Sequence, residues 1–117
     1  MEQNLLESVE EIALEAWRFE RVFQRMLSRM DPLEAKRYAS QYQWFRQKVD
    51  AAVEKAGLHM VNLEGQPFDA GMAATPLNLD EFDSDEWLVV RQTIEPVVMH
   101  QGRVRRTGTV ILGRADE

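Results

Sequence analysis

Leu5, Val9, Ile12, Ala16, Phe19, Phe23, Met26 and Met30 are spaced by alternating steps of four and three residues. An apolar seam with that period runs along one side of an α-helix and repeats every seven residues. Leu6, Ala13, Trp17 and Leu27 widen the stripe on one flank. A stripe of that width suits a bundle helix better than a narrow two-stranded coil. Asp31-Pro32-Leu33-Glu34 then breaks the pattern. Asp31 is placed to cap a second helix, Pro32 suits its first position, and Glu34 completes a capping box. Ala35, Tyr38, Tyr42, Phe45, Val49, Ala52 and Ala56 carry the helical period onward, and Gly57 is placed to end it. The short break predicts an antiparallel helical hairpin over residues 1–57. Two such helices leave apolar surface uncovered. The reading is a four-helix bundle made by two chains, with Leu5, Val9, Ile12, Phe19, Phe23, Tyr42, Phe45 and Val49 at the dimer interface. Packing against the C-terminal half of the same chain is the alternative.

After Gly57 the pattern shortens. Leu58–Leu63 reads as a strand, Gly65-Gln66-Pro67 as a turn, and Trp87–Ile94 as a Val- and Thr-rich strand interrupted by Glu95-Pro96. Val97-Val98-Met99, a turn at His100-Gln101-Gly102, and Arg103–Leu112 read as a β-hairpin. The fold class is therefore α+β: the helical hairpin followed by a small antiparallel β-domain over residues 58–117.

Charge is uneven. The 14 basic and 20 acidic side chains give a net −6. Six glutamates and two arginines precede Val22, and Asp80, Glu81, Asp83, Asp85 and Glu86 form a second acidic group. From Arg91 to Arg114 there are five arginines, Glu95 is the only acid, and lysine is absent. The overall balance disfavours nucleic acid as a partner. The absence of cysteine removes thiol chemistry, disulfides and cysteine-ligated zinc. No apolar run approaches the roughly 20 residues of a membrane span, and the acidic N-terminus is unlike a secretory signal. A cytoplasmic protein with no membrane association is expected.

Catalytic patterns are missing. No serine has a neighbouring histidine, His59 and His100 stand alone, and no phosphate loop occurs. The 80–86 acids lack the glycine and the closing glutamate of a calcium loop, so they read as a solvated loop. No enzyme activity, metal or cofactor is expected. Phe68 and Asp69 are expected to pack and cap within the β-domain. Arg103 and Arg105 fall on one face of a strand, Val104 and Arg106 on the other. They either protect a sheet edge or form a contact surface for an acidic partner.

Four runs sharpen this reading: Lys55–Val61, Gly65-Gln66-Pro67-Phe68-Asp69, Gly102-Arg103-Val104-Arg105-Arg106 and Val110-Ile111-Leu112. In order and spacing, on a two-helix hairpin, they resemble the GrpE family, the nucleotide exchange factors of DnaK-type heat-shock chaperones. The resemblance spans roughly residues 4 to 113. It implies a non-enzymatic stress-response co-chaperone that binds the chaperone's ATPase domain and promotes ADP release. It implies partner contacts at Arg103 and Leu112, with Gly102, Arg105 and Arg106 around them, and structural places for Gly57, Phe68, Asp69 and Val110. It also implies a homodimer. Ala70 stands where the family has proline, Ala73 where it has histidine, and Val97-Val98 where it has Gly-Tyr. The family's long paired helix before the bundle has no counterpart, which suggests a short or divergent member. A GrpE-like adaptor that binds a different partner is the alternative reading.

Overall fold

The computed structural model describes residues 2–116. They form two compact units, divided between Leu58 and His59. The first is the helical hairpin, α1 (Glu2–Ser28) and α2 (Pro32–Lys55). At 1.5 Å per residue, α1 is about 40 Å long. It ends two residues before the seam does. The amides of Arg29 and Met30 donate to the carbonyls of Met26 and Leu27, the tighter bonding that closes a last turn. Gly57 lies beyond α2 with φ +82°, the left-handed conformation that stops a helix. The expected capping box is absent: the Asp31 side chain makes no cap bond, and its carbonyl takes the Ala35 amide instead. Pro32 has no amide hydrogen, which already removes one donor from the first turn.

Aromatic side chains join the two helices. Phe19 meets Phe45 edge-on at 6.2 Å between ring centroids, and Phe23 meets Tyr42 at 5.8 Å. Gln24 Nε2 donates to Tyr42 Oη at 2.8 Å. Part of the expected interchain seam is therefore consumed inside one hairpin. Val9, Phe23, Tyr42 and Val49 are half-buried. Leu5, Ile12, Phe19 and Phe45 remain exposed, Ile12 at 69%. The fully buried positions of α1 are instead Ala13, Leu14 and Ala16.

Six strands follow the helices: β1 (Leu58–Val61), β2 (Ala74–Pro76), β3 (Leu88–Glu95), β4 (Val97–His100), β5 (Arg103–Arg106) and β6 (Gly108–Arg114). They make two three-stranded sheets, ordered β1-β4-β5 and β2-β6-β3. Arg103–Leu112 is thus not one strand, as expected, but two strands in different sheets. The register explains why. Leu88 pairs with Arg114, Glu95 with Thr109, Val98 with Arg106 and His100 with Arg103. These pairs describe one long hairpin, bent where Pro96 interrupts one arm and Thr107-Gly108 the other. Pro96 is fully buried, and a Cβ on Gly108 would lie 3.0 Å from the Glu95 carbonyl oxygen and 3.2 Å from a Val97 methyl. Any side chain there would force the Glu95 carbonyl and Val97 to give way.

β2 runs parallel to β6, with Ala74 opposite Gly108 and Pro76 opposite Val110. The β3–β6 and β4–β5 pairs are antiparallel as expected, whereas this short edge, which carries no strand signal in the sequence, is parallel. Proline can hold such an edge position because a free edge needs no amide there. Leu63, Leu88, Val90, Val97, Val110 and Leu112 form the core, with Phe68, Met72, Phe82 and Met99 packed around it. Asn78 secures the loop after β2: its amide nitrogen donates to the Leu112 carbonyl at 3.0 Å, and its oxygen accepts the Leu112 amide at 2.9 Å.

Adding a side chain at the bend should break the domain. Gly108→Val is expected to lower stability by about 1–3 kcal/mol through overpacking. Gly71→Ala has no atom closer than 3.7 Å to its new carbon and serves as control, with a change of about 0.5 kcal/mol or less. Urea denaturation of both variants checks this, and equal stabilities would contradict the account of the bend.

Candidate functional site

The arginine-bearing turn is built by β4 and β5. Gln101 and Gly102 both have positive φ, +53° and +76°. That pair of conformations belongs to a two-residue turn whose twist matches the strands it joins. Glycine enters it without cost, whereas Gln101 is held there against its preference. The turn fixes His100 opposite Arg103 and Met99 opposite Val104.

The three arginines do not share one environment. Arg103 is exposed, and among the described residues its side chain makes no ion pair or hydrogen bond. Arg105 is half-buried and already engaged. Arg106 lies on the other face, its guanidinium 3.5 Å from the Glu95 carboxylate. That pair is solvated and worth at most about 1 kcal/mol. It does set Arg106 to bridging the two sides of the bend. Val104 is 48% exposed beside Arg103. The hairpin tip thus offers one free cation, one exposed apolar side chain and a strained turn.

Leu112 departs from its expected role. Its side chain is 3% exposed and belongs to the core, so it has no surface to offer a partner. It pairs with Val90 of β3 and shares the core with Val90, Val97 and Val110, so a position read as a strand end is interior. Val110 is fully buried beside it. Phe68 packs at the core margin, and the Asp69 carboxylate accepts the Gly71 amide at 3.0 Å. Both therefore serve the domain's own structure.

Two features had no sequence-level prediction. The first is Asn78, whose carboxamide clamps β6. The second lies in the helical hairpin, where Gln24, Leu27, Ala39, Tyr42, Gln43, Arg46, Gln47 and Asp50 line an open groove of about 490 Å³. Glu20 sits in this neighbourhood with its Oε1 buried and unpartnered. Burial raises its carboxyl above the usual value of 4.5, nearby Asp50 raises it further, and Arg46 opposes both. Burial and the Glu20 charge together push the Tyr42 hydroxyl up as well. A signal for Glu20 was present: it occupies the same seven-residue line as Leu6, Ala13 and Leu27, where an apolar residue is due.

Among the described residues, no group of three acidic or histidine side chains converges as a metal site. No helix is long and apolar enough to cross a membrane. No family model, curated protein or solved structure matches the chain.

The Glu20 environment sets a pH dependence. A carboxyl raised on folding contributes stability that is complete below the unfolded value and is lost as pH rises through the folded one. The Glu20 contribution should therefore be present near pH 4.5 and decline above it. Glu20→Gln should flatten this part of the profile and raise stability at pH 7. Melting curves of both proteins between pH 4.5 and 7.5 check it; parallel profiles would contradict it.

Proposed function

We propose that this chain is a GrpE-like co-chaperone, a nucleotide exchange factor for a DnaK-type chaperone. The observation that carries the reading is the exposed Arg103, without a partner among the described residues, at the tip of a two-residue-turn hairpin in a β-domain that follows a long helical hairpin. An arginine in that setting suits a carboxylate-bearing protein surface, because its planar fork grips carboxylates with two parallel bonds.

The mechanism is conformational and uses no chemistry of its own. The β-domain binds the open, nucleotide-free ATPase domain more tightly than the closed, ADP-bound one. That difference shifts the population toward the open form and releases ADP. Linkage then requires nucleotide to weaken the factor's grip by the same factor. Val104 and Arg103 form the centre of the contact in this reading, and Gly102 keeps the turn that aims them. Arg105 and Arg106 support the hairpin. The exposed Leu5, Ile12, Phe19 and Phe45 are the surface that a second copy would cover in a homodimer.

One pair of observations favours the second reading, a GrpE-like adaptor without exchange activity. Leu112 is buried and Arg106 is engaged by Glu95, so two positions to which the resemblance assigns partner contact are occupied within the domain. Release kinetics separate the two readings. With a DnaK-type ATPase domain loaded with a fluorescent ADP analogue, saturating protein should accelerate release, and ATP should dissociate the complex. Arg103→Ala should weaken the complex about tenfold or more, as expected for an arginine anchor. A complex without acceleration would favour the adaptor. Neither complex nor acceleration would refute the chaperone reading.

A further inference from the structure

The acidic segment between β2 and β3 ends in Trp87, the most exposed aromatic side chain among the described residues. Trp87 is 85% exposed, Leu77 59% and Leu79 48%. Fully solvated tryptophan is uncommon on a protein surface and marks contact sites. The segment is firmly held. The Leu77 amide donates to the Val110 carbonyl at 3.0 Å, and Asn78 clamps Leu112. Arg114 lies over the Phe82 ring at 5.1 Å and donates to Glu86 at 2.9 Å. The Ala115 amide donates to the Trp87 carbonyl at 2.9 Å. All these anchors fall between residues 110 and 115 of one chain segment. These bonds tie both ends of the segment to β6.

Four carboxylates are interspersed with these side chains. Asp80, Glu81, Asp83 and Asp85 are exposed. Among the described residues, their side chains make no ion pair or hydrogen bond. Arg114, the cation in contact with this segment, is committed to Glu86 and Phe82. Exposed apolar side chains alternating along the segment with unneutralised acids complement one kind of partner. It must present apolar side chains flanked by lysine or arginine, and its cations can also sit over the Trp87 ring.

We propose that the Leu77–Trp87 segment is a docking surface for a cationic amphipathic segment of a partner protein. It is a second surface, opposite in sign to the Arg103 hairpin, and it stands whether or not the chain acts on a chaperone. Because its backbone is pinned to β6, little ordering cost remains at binding.

Three synthetic peptides of about 12 residues test it. One alternates lysine with leucine, one replaces the lysines by glutamate, and one replaces the leucines by serine. Each is titrated into the ¹⁵N-labelled protein. The lysine–leucine peptide should shift the Leu77–Trp87 amides and the Trp87 indole, and the glutamate peptide should shift neither. The serine peptide should bind at least about tenfold more weakly. Trp87→Ala should cost about tenfold in affinity, and Asp80→Asn/Asp83→Asn/Asp85→Asn should weaken binding and flatten its salt dependence. Shifts confined to the glutamates of α1, equal binding of the lysine–leucine and lysine–serine peptides, or unchanged affinity of Trp87→Ala would overturn the proposal. Each variant alters an exposed side chain, and its unperturbed spectrum reports that the fold is intact.

Discussion

The close crossing of Gly108 over Glu95 and Val97 is the constraint on which the β-domain depends. It lets a single hairpin, from Leu88 to Arg114, serve two sheets. Its lower arms, β3 and β6, take β2 at one edge. Its upper arms, β4 and β5, take β1. Buried Pro96 works from the opposite strand, because it cannot continue a ladder. The core forms where the arms diverge: Val90, Val110 and Leu112 come from the lower part and Val97 from the upper. The same bend carries the arginine-bearing turn away from the larger sheet and leaves Arg103 exposed at its tip.

The larger elements were legible because their signals are local. Alternating steps of three and four mark α1 and α2, and Gly57 marks the end of α2. Pro96 marks a change of strand. The remainder depends on contacts distant in sequence. β2 is three residues long and ends in proline, so only its pairing with β6 makes it a strand. Leu112 looks like the end of a strand until its place in the core with Val90 and Val97 is seen. The division of labour among Arg103, Arg105 and Arg106 follows from the position of Glu95, eleven residues from Arg106. The aromatic seam of α1 was read as an interchain surface, yet its Phe19 and Phe23 reach α2 within the chain.

Net charge conceals two opposite surfaces in one domain. The hairpin tip is cationic, while the Leu77–Trp87 segment is acidic and apolar. β6 links them: its Gly108 end allows the bend toward the arginines, and its Arg114 end pins the acidic loop. Glu86 is held below the usual carboxylate range by its bond from the Arg114 side chain and by the Asp83 amide. Those contacts tie the loop's closing residue to the end of β6. A partner for each surface would need the opposite charge, so the two surfaces do not compete for one ligand.

On the proposed reading, the β4–β5 tip is the face that meets a protein partner. Amide protection from hydrogen exchange tests it most directly, measured on this protein alone and with a nucleotide-free DnaK-type ATPase domain. Protection gained over residues 97–106 and lost on adding ATP is the predicted result. Protection confined to the helices or to residues 77–87, or protection that ATP leaves in place, would contradict it.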